Sequence, residues 1–272
     1  MPELVHRSTP GSNYRRAFTV LGSVTVKSYC FIFLGLLFVV VSQLQGNSTP
    51  KVSALVGNGF LVLKNKPSQE PIRLSYDQAI KEKLPYAFVT SPESFLEVSD
   101  LSPLSPYTLR IGQSSGLEIS DSEKFFLLKG SILIADRGNN AWFIESNMSQ
   151  IQIEGSGTFI TETTDLGFKL IVLEGTFQSN APGISNTLSS GDLVLVSGPQ
   201  GEISQVIQIE LPLLLSTSRL VNFFPHDLST HSRLLSAAQV QVMRMKTKYD
   251  AFIGGVSDDR KLRIWKVGSR KN

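Results

Sequence analysis

The sequence predicts a mainly β protein, an antiparallel sandwich, barrel or β-solenoid-like domain, with an N-terminal apolar helix and a small α/β C-terminal extension. Short runs in which apolar and polar residues alternate follow one another through residues 52–210, as in half-buried strands. Glycines and prolines separate the later runs at intervals of about 8 to 12 residues, which is typical of sandwiches and barrels. Wide apolar faces at helical spacing follow in residues 211–272.

Composition limits the classes of function. The chain has 272 residues, enough for one large or two small domains, and its 41% hydrophobic and 18% charged residues are typical of globular proteins. The net charge is +3, and lysines and arginines concentrate at the two ends, so we do not expect a nucleic-acid interface. The single cysteine, Cys30, excludes an intrachain disulfide, and three histidines make a histidine-centred active site improbable.

The N-terminus predicts export. Residues 1–28 are polar and basic and read as a cytoplasmic tail, and residues 29–44 contain an uncharged apolar run. As a helix, the run Tyr29–Val41 covers roughly 20 Å, a minimal membrane span. Two interpretations stay open: an uncleaved signal anchor, or a signal peptide removed with residues 1–46. Lysines and arginines precede the run, so the rest of the chain is expected outside the cytoplasm.

Several local patterns predict turns or short helices between the strands. Gly57–Gly59 predicts a hairpin or a bulge between the first two strands. Tyr76–Leu84 could form one short helical turn. Ser131–Ala135 and Trp142–Glu145 predict two strands separated by a turn at Gly138–Asn140.

The central segments resemble a known family. In order they read GQSSGLEIS, FFLLKGSILIA, IQIEGSGTFITE, KLIVLEGTFQS and LSSGDLVLV. This succession resembles the FecR domain, the exported β-domain of bacterial cell-surface signalling proteins, over about residues 52–200. The positions that match the family's pattern are Gly130, Gly155, Gly157, Thr158, Phe159, Glu174, Gly175 and Gly191.

The resemblance implies a FecR-like β-domain over residues 52–210, in the periplasm. Classical members also have a helical cytoplasmic domain that binds a sigma factor. The 28 residues before the apolar run are too few and too polar for such a domain, so the resemblance does not imply an anti-sigma role here.

We predict structural roles for the matching positions. The glycines are expected to supply positive φ angles or close backbone approach at turns. Glu174 is expected to satisfy a turn or strand-end amide, since no acid partner stands at a recognisable spacing. Asp165 and Gly167 fit the tip of a hairpin between Ile160 and Ile171.

We predict no catalytic, cofactor-binding or metal-binding residue. His226 and His231 lie five positions apart, whereas a shared helical face requires a spacing of three or four.

The α/β C-terminal extension covers residues 211–272. One helix is expected from Pro212 to Phe224, and a second from Ser229 to about Lys248. A hairpin is expected from Ala251–Ile253 and Leu262–Val267. The apolar face predicted for the second helix consists of Leu234, Leu235, Ala238, Val242 and Met245. These surfaces are expected to pack on the β-domain or to face a partner.

The expected function is that of an exported envelope protein acting as a non-catalytic binding or signalling module. Its partner would be an envelope protein or cell-wall component, with membrane contact through residues 29–44 and no nucleic acid or small-molecule substrate. It would lie in the inner membrane with a periplasmic domain, or free in the periplasm if residues 1–46 are cleaved. The alternatives are a self-assembling envelope scaffold and a periplasmic glycan-acting enzyme.

Overall fold

The computed structural model of the chain describes residues 49–66, 68–102, 106–181, 184–248, 252–256 and 262–266. The predicted tail of residues 1–28 and the apolar segment of residues 29–44 lie outside the described residues. Within the described part, no helix has both the length and the apolar character that crossing a membrane requires.

Strands dominate the structure, and helices follow them near the C-terminus. The strands are β1 (Lys51–Val56), β2 (Gly59–Leu63), β3 (Ile72–Arg73), β4 (Tyr86–Thr90), β5 (Phe95–Ser99), β6 (Tyr107–Ile111), β7 (Gly116–Asp121), β8 (Lys124–Lys129), β9 (Ser131–Glu145), β10 (Gln150–Thr164), β11 (Gly167–Ala181), β12 (Ile184–Ser189), β13 (Asp192–Ser197), β14 (Glu202–Ile203), β15 (Ile207–Gln208), β16 (Phe252–Val256) and β17 (Leu262–Lys266). The helices are α1 (Leu211–Thr217), α2 (Arg219–Asn222) and α3 (His231–Lys248).

Three long strands organise the main sheet. β9, β10 and β11 have 15 residues each and pair side by side, antiparallel. The two flanking strands, β9 and β11, each have different further neighbours along their two halves. β9 pairs with β6 through residues 132–136 and with β8 through residues 143–145. β11 pairs with β13 through residues 167–171 and with β12 through residues 176–181.

These strands form one continuous 15-stranded sheet. It divides near the middles of the long strands into two parts, which are called sheet A and sheet B below. Sheet A contains β1, β5, β6, β13, β14 and β15 with the first halves of β9 and β11 and the second half of β10. Sheet B contains β2, β3, β4, β7, β8 and β12 with the remaining halves. Apolar residues of both sheets form one buried cluster, as the inner faces of a sandwich do. The predicted mainly β, largely antiparallel class is confirmed.

An aromatic row lies in the core between the sheets. Its rings are those of Tyr107, Phe125, Trp142, Phe159 and Phe177, with neighbouring centroids 4.7–6.2 Å apart. Most of these pairs meet edge to face, the arrangement that aromatic quadrupoles favour. All five side chains are at least 98% buried, so the row fixes the spacing of the two sheets.

Sheet A is also apolar on its outer face, where the helices cover it. A second buried cluster joins Leu133, Ala135, Ile160, Ile171 and Leu173 of sheet A to Leu211, Leu215, Leu220, Leu228 and Leu234 of the helical region. Burial of each leucine contributes about 1.5–3 kcal/mol relative to exposure. The helices of the extension therefore pack on the β-domain.

The predicted break between Ser131–Ala135 and Trp142–Glu145 is wrong, since β9 runs through both. Residues 137–139 instead form a bulge, because Gly155 of β10 pairs with Asn140 and Gly157 with Asp136. The Asp136 carboxylate accepts hydrogen bonds from the Gly138 amide and the Asn140 side chain, which satisfies this polar stretch without a turn.

Two further local predictions are wrong. Gly57–Gly59 joins no hairpin, because β1 pairs with β5 and β2 with β4. The irregularity in the β1 pairing lies at Val52 and Ala54, not at these glycines. Tyr76–Leu84 forms no helix, because its backbone hydrogen-bonds with that of β1: the Asp77 amide donates to Val52, and the Val52 amide donates to Gln78.

The predicted helix from Pro212 to Phe224 is divided in two. Ser218 is extended, with φ −70° and ψ 116°, and separates α1 from α2. The second predicted helix is α3, and the predicted hairpin tip between Ile160 and Ile171 is confirmed by the pairing of Thr164 with Gly167. β16 and β17 pair antiparallel with each other.

Candidate functional site

Two of the matching glycines lie where strands pass from sheet A to sheet B. Gly157 of β10 pairs with Gly175 of β11, near the middle of both strands. A Cβ on Gly157 would lie 2.2 Å from the Glu174 carbonyl oxygen, and one on Gly175 would lie 2.1 Å from that of Ser156. Gly175 has φ +90°. The backbones therefore approach too closely for a larger residue, and the bend requires glycine.

The other matching positions flank this bend or lie apart from it. Gly155 precedes the bend on β10, and Gly191, with φ +91°, separates β12 from β13 where they follow the same bend. Phe159 belongs to the aromatic row, 5.2 Å from Phe177. Gly130 lies at the turn between β8 and β9. The glycines of β10 and β11 thus act within strands rather than at the turns expected for them.

Glu174, beside the bend, fastens α3 to the sheet. Its side chain is 3% exposed, and its carboxylate accepts a hydrogen bond from the Thr158 hydroxyl at 3.1 Å. Arg233 of α3 places Nε 3.1 Å from the other carboxylate oxygen. Glu174 thus contacts a hydroxyl and a guanidinium instead of the expected amide. Burial raises the pKa of Glu174, the charge of Asp136 adds to the rise, and Arg233 and Thr158 oppose it.

Two more contacts hold the start of α3 at this point. The hydroxyls of Thr158 and Thr230 lie 2.6 Å apart, and both residues are fully buried. Arg137 Nε donates to the Ser229 carbonyl oxygen at 2.9 Å. The first turn of α3 is therefore attached to β9, β10 and β11 together.

Arg110 fastens the helical region at a second point. This side chain is fully buried, and its Nε donates to the Glu97 carboxylate at 2.6 Å. Its other nitrogens donate to the carbonyl oxygens of Leu220, Val221 and His226 at 2.6–3.0 Å. Burial lowers the pKa of Arg110, and the Glu97 carboxylate opposes that shift.

Sequence reasoning missed this pair although a signal exists. Glu97 and Arg110 stand in otherwise apolar strands and lie directly opposite each other in the β5–β6 register. Opposite charges in two adjacent short strands indicate a cross-strand pair. The helical partners could not be found this way, since they lie more than 100 positions further along the chain.

A groove of about 890 Å³ lies beneath α3, next to the bend. Small and hydroxyl-bearing residues of the strands form one wall, and α3 forms the other. The lining consists of Gly175, Thr176, Ser189, Ser190, Gln208, Ile209, Glu210, Ser236, Ala237, Val240, Gln241 and Arg244. Glu210 is the single carboxylate among these residues, so the groove offers one acidic group.

Gln241 attaches α3 to one side of the groove. Its Nε2 donates to the Ile209 carbonyl oxygen at 2.7 Å, and its Oε1 accepts from the Leu211 amide at 2.8 Å. A Cβ on Gly191 would lie 2.6 Å from the Gln241 Nε2, so the bend and the helix meet closely here. Val240 and Met243 on α3 are 46% and 65% exposed.

In the described part of the chain, no three histidine, cysteine or acidic residues cluster as metal ligands do. His231 lies 3.8 Å from Asp227 at an exposed position. Neither His226 nor His231 belongs to a group of three possible metal ligands among the described residues. The expectation of no metal, cofactor or catalytic group stays a prediction.

Comparison with known proteins gives a distant likeness of fold. No family model and no curated protein matches the chain. Two similar solved structures are described as a "putative anti-sigma factor" from Parabacteroides distasonis ATCC 8503. The first is 10% identical, with a TM-score of 0.36, and the match covers 68% of this chain and 100% of that one. The second is 10% identical, with a TM-score of 0.34, and covers 67% and 99%. Such low scores support no statement about function.

Proposed function

We propose that the chain is a non-catalytic binding module of the bacterial envelope, FecR-like in its β-domain, which presents the groove beneath α3 to a partner protein. The single observation that supports this most is the groove itself. It is the meeting point of the bend, the β12–β13 connection and α3. An ion pair holds α3 to the bend, and the Gln241 side chain holds it to the backbone of Ile209 and Leu211.

A preorganised groove suits binding, because little side-chain freedom is lost on association. Glu174, Thr158 and Thr230 beneath the start of α3 are at least 97% buried. Both polar atoms of the Gln241 side-chain amide are hydrogen-bonded to backbone groups. The exposed side chain of Val240, which lines the groove, offers apolar contact area there.

A glycan-acting enzyme is less well supported. Glycoside hydrolysis uses two carboxyl groups that flank the scissile bond at about 5–9.5 Å from each other. The groove lining contains the single carboxylate of Glu210. The buried Glu97 and Glu174 are occupied by Arg110 and Arg233, so they are poorly placed to serve as an acid and a base.

The test is chemical crosslinking of the tagged full-length protein in its native host, followed by capture, identification and N-terminal sequencing. We expect one specific envelope partner, crosslinked through residues of the β-domain or α3. A series of self-adducts that grows with expression level would support the scaffold instead. Capture of a sigma factor through residues 1–28 would contradict the proposal, and N-terminal sequencing would show whether residues 1–46 are retained.

A further inference from the structure

Two parts of the chain carry opposite net charges. Residues 49–243, which include the β-domain, contain 13 lysines and arginines and 19 acidic residues, a net charge of −6. Residues 244–272, called the basic segment below, contain nine lysines and arginines and three aspartates, a net charge of +6. An asymmetry of this kind indicates that the basic part contacts an anionic surface.

The basic segment runs from the end of α3 into the hairpin of β16 and β17. Among the described strands, these two pair only with each other and form a sheet of their own. A hairpin of two strands is marginally stable in water unless a further surface covers it. The hairpin is therefore expected to lie against such a surface.

The register of the hairpin combines basic and aromatic positions. Phe252 pairs with Lys266, and Ile253 pairs with Trp265. Because successive positions of a strand alternate between two faces, Arg263 shares a face with Trp265. Aromatic residues beside lysine or arginine are typical of segments that lie at the interface between a bilayer and water.

We propose that the basic segment binds the surface of an anionic lipid bilayer, with β16 and β17 at the level of the headgroups. Anionic headgroups attract nearby lysines and arginines, and aromatic side chains favour the interface. The predicted membrane segment of residues 29–44 would keep the hairpin close to a bilayer and so raise its effective concentration there. The contact does not involve the groove beneath α3, and it is therefore a function beyond the one proposed above.

The acidic β-domain is a second anionic surface within the same chain, but much of its charge is already neutralised. An anionic bilayer, in contrast, presents headgroup charges along a continuous surface. Six acidic side chains of residues 49–243 are paired with lysine or arginine, namely those of Asp77, Glu97, Glu118, Glu145, Glu162 and Glu174.

The two tryptophans of the chain make the contact measurable. Trp142 is fully buried in the aromatic row of the core, whereas Trp265 lies in β17. The full-length protein is reconstituted into vesicles whose lipids carry bromine atoms close to the headgroups, because bromine quenches the fluorescence of nearby tryptophan. One set of vesicles mixes phosphatidylglycerol with phosphatidylcholine, and the other contains phosphatidylcholine alone.

Quenching is expected to be at least about twofold stronger in the anionic vesicles and to weaken at high salt, which screens the attraction. Trp265→Phe should remove this difference, because Trp142 is shielded by the core. Quenching that is equal in the two sets of vesicles would mean that the hairpin is only tethered near the bilayer, and it would overturn the inference.

Two double variants remove the same number of charges from different places. Arg263→Gln with Lys266→Gln changes β17, whereas Lys66→Gln with Lys129→Gln changes two exposed lysines outside the basic segment. Each charge lost from the hairpin should weaken its attraction to the anionic vesicles by about fivefold. The control pair should leave the quenching within about twofold of wild type. Equal effects of the two pairs would contradict the inference.

Two other partners are distinguished by the same fluorescence. A Trp265 that neither brominated lipid nor aqueous acrylamide quenches would indicate that the hairpin packs on the β-domain. A Trp265 spectrum that changes with soluble polyphosphate, without quenching by lipid, would indicate a soluble polyanion. Either result overturns the inference. The proposed function survives both if crosslinking in the host still captures an envelope partner through the β-domain or α3.

Discussion

Two arginine–glutamate pairs attach helices to the β-sandwich, and they differ in burial. Arg110 and Glu97 are 0% and 6% exposed, and Arg110 also donates to three backbone carbonyl groups of the α2 region. Glu174 is 3% exposed, but its partner Arg233 is 42% exposed and reaches it from the first turn of α3. The first pair is closed off from water, and the second is open on one side.

The difference shows how the helical region is divided. α1 and α2 are held by a fully buried charge and by the apolar cluster on sheet A, so they are part of the core. α3 is held at its start by Glu174 and Thr230 and near its middle by Gln241. Its later residues border the groove, with Met243 exposed. One extension thus combines a buried attachment through α1 and α2 with a helix, α3, whose later residues are partly exposed.

The largest effect is expected for Arg110→Ala. It leaves the Glu97 carboxylate buried without its cation and three carbonyl groups without their donor, which should cost about 3–5 kcal/mol of unfolding free energy. Urea denaturation measures this. Arg219→Ala is the control, because the Arg219 side chain makes one exposed contact with Gln113. Equal losses for both variants would contradict the fully buried attachment.

A large effect is also expected for Gly175→Ala. The added Cβ would lie 2.1 Å from the Ser156 carbonyl oxygen at φ +90°, so the bend beside Glu174 must distort. We expect a loss of at least about 2 kcal/mol. Gly116→Ala is the control, since its nearest atoms would lie at 3.5 Å, ordinary contact distance. A thermal shift of Gly175→Ala no larger than that of Gly116→Ala would show that the bend tolerates a side chain.

Glu174→Gln tests the pH dependence of the open pair. The pKa of Glu174 is raised in the folded state, so the folded protein binds the proton more tightly than the unfolded chain. The contribution of Glu174 to stability is therefore greatest in acid and is lost as the pH rises from its ordinary pKa of 4.5 through the raised value.

Glu174→Gln removes this decline, so the variant should gain stability relative to wild type as the pH rises through that window. Denaturation midpoints at a series of pH values measure the effect. Glu162→Gln, which changes a half-exposed carboxylate paired with Lys169, is the control. A stability difference between Glu174→Gln and wild type that stays constant with pH would refute the assignment.

The smallest effect is expected for Arg233→Ala. Arg233 is 42% exposed, so solvent screens its attraction to Glu174, and the loss should be about 1 kcal/mol or less. The double variant with Glu174→Gln should cost less than the sum of the two single changes, because both changes remove one contact. Strict additivity would mean that the two residues do not interact.

The sequence predicted the class of fold and the importance of the glycines, but not the way they act. Alternation and turn spacing are local signals, so the β-sandwich and the Ile160–Ile171 hairpin could be predicted. That Gly157 and Gly175 face each other within a bend depends on the register of two strands, which period-two alternation does not specify.

The candidate site was harder to predict, because its parts are distant in sequence. Thr158 and Glu174 were singled out, but their partners Thr230 and Arg233 lie in a helix that packs on the sheet by tertiary contacts. Arginine is common on helix surfaces, and nothing in the local sequence distinguishes Arg233 from an exposed arginine that contacts only solvent. The groove exists because the strands bend beside α3, which is a property of the fold rather than of any one segment.

The tight attachment at the start of α3 and the weaker hold on its later part can be tested together by amide hydrogen exchange on the full-length protein. We predict slow exchange at the start of α3 and through the middle of β10 and β11, with faster exchange in α3 after Gln241 and along β12. Uniform protection along α3, or exchange in the middle of β10 and β11 as fast as in α3 after Gln241, would contradict the account.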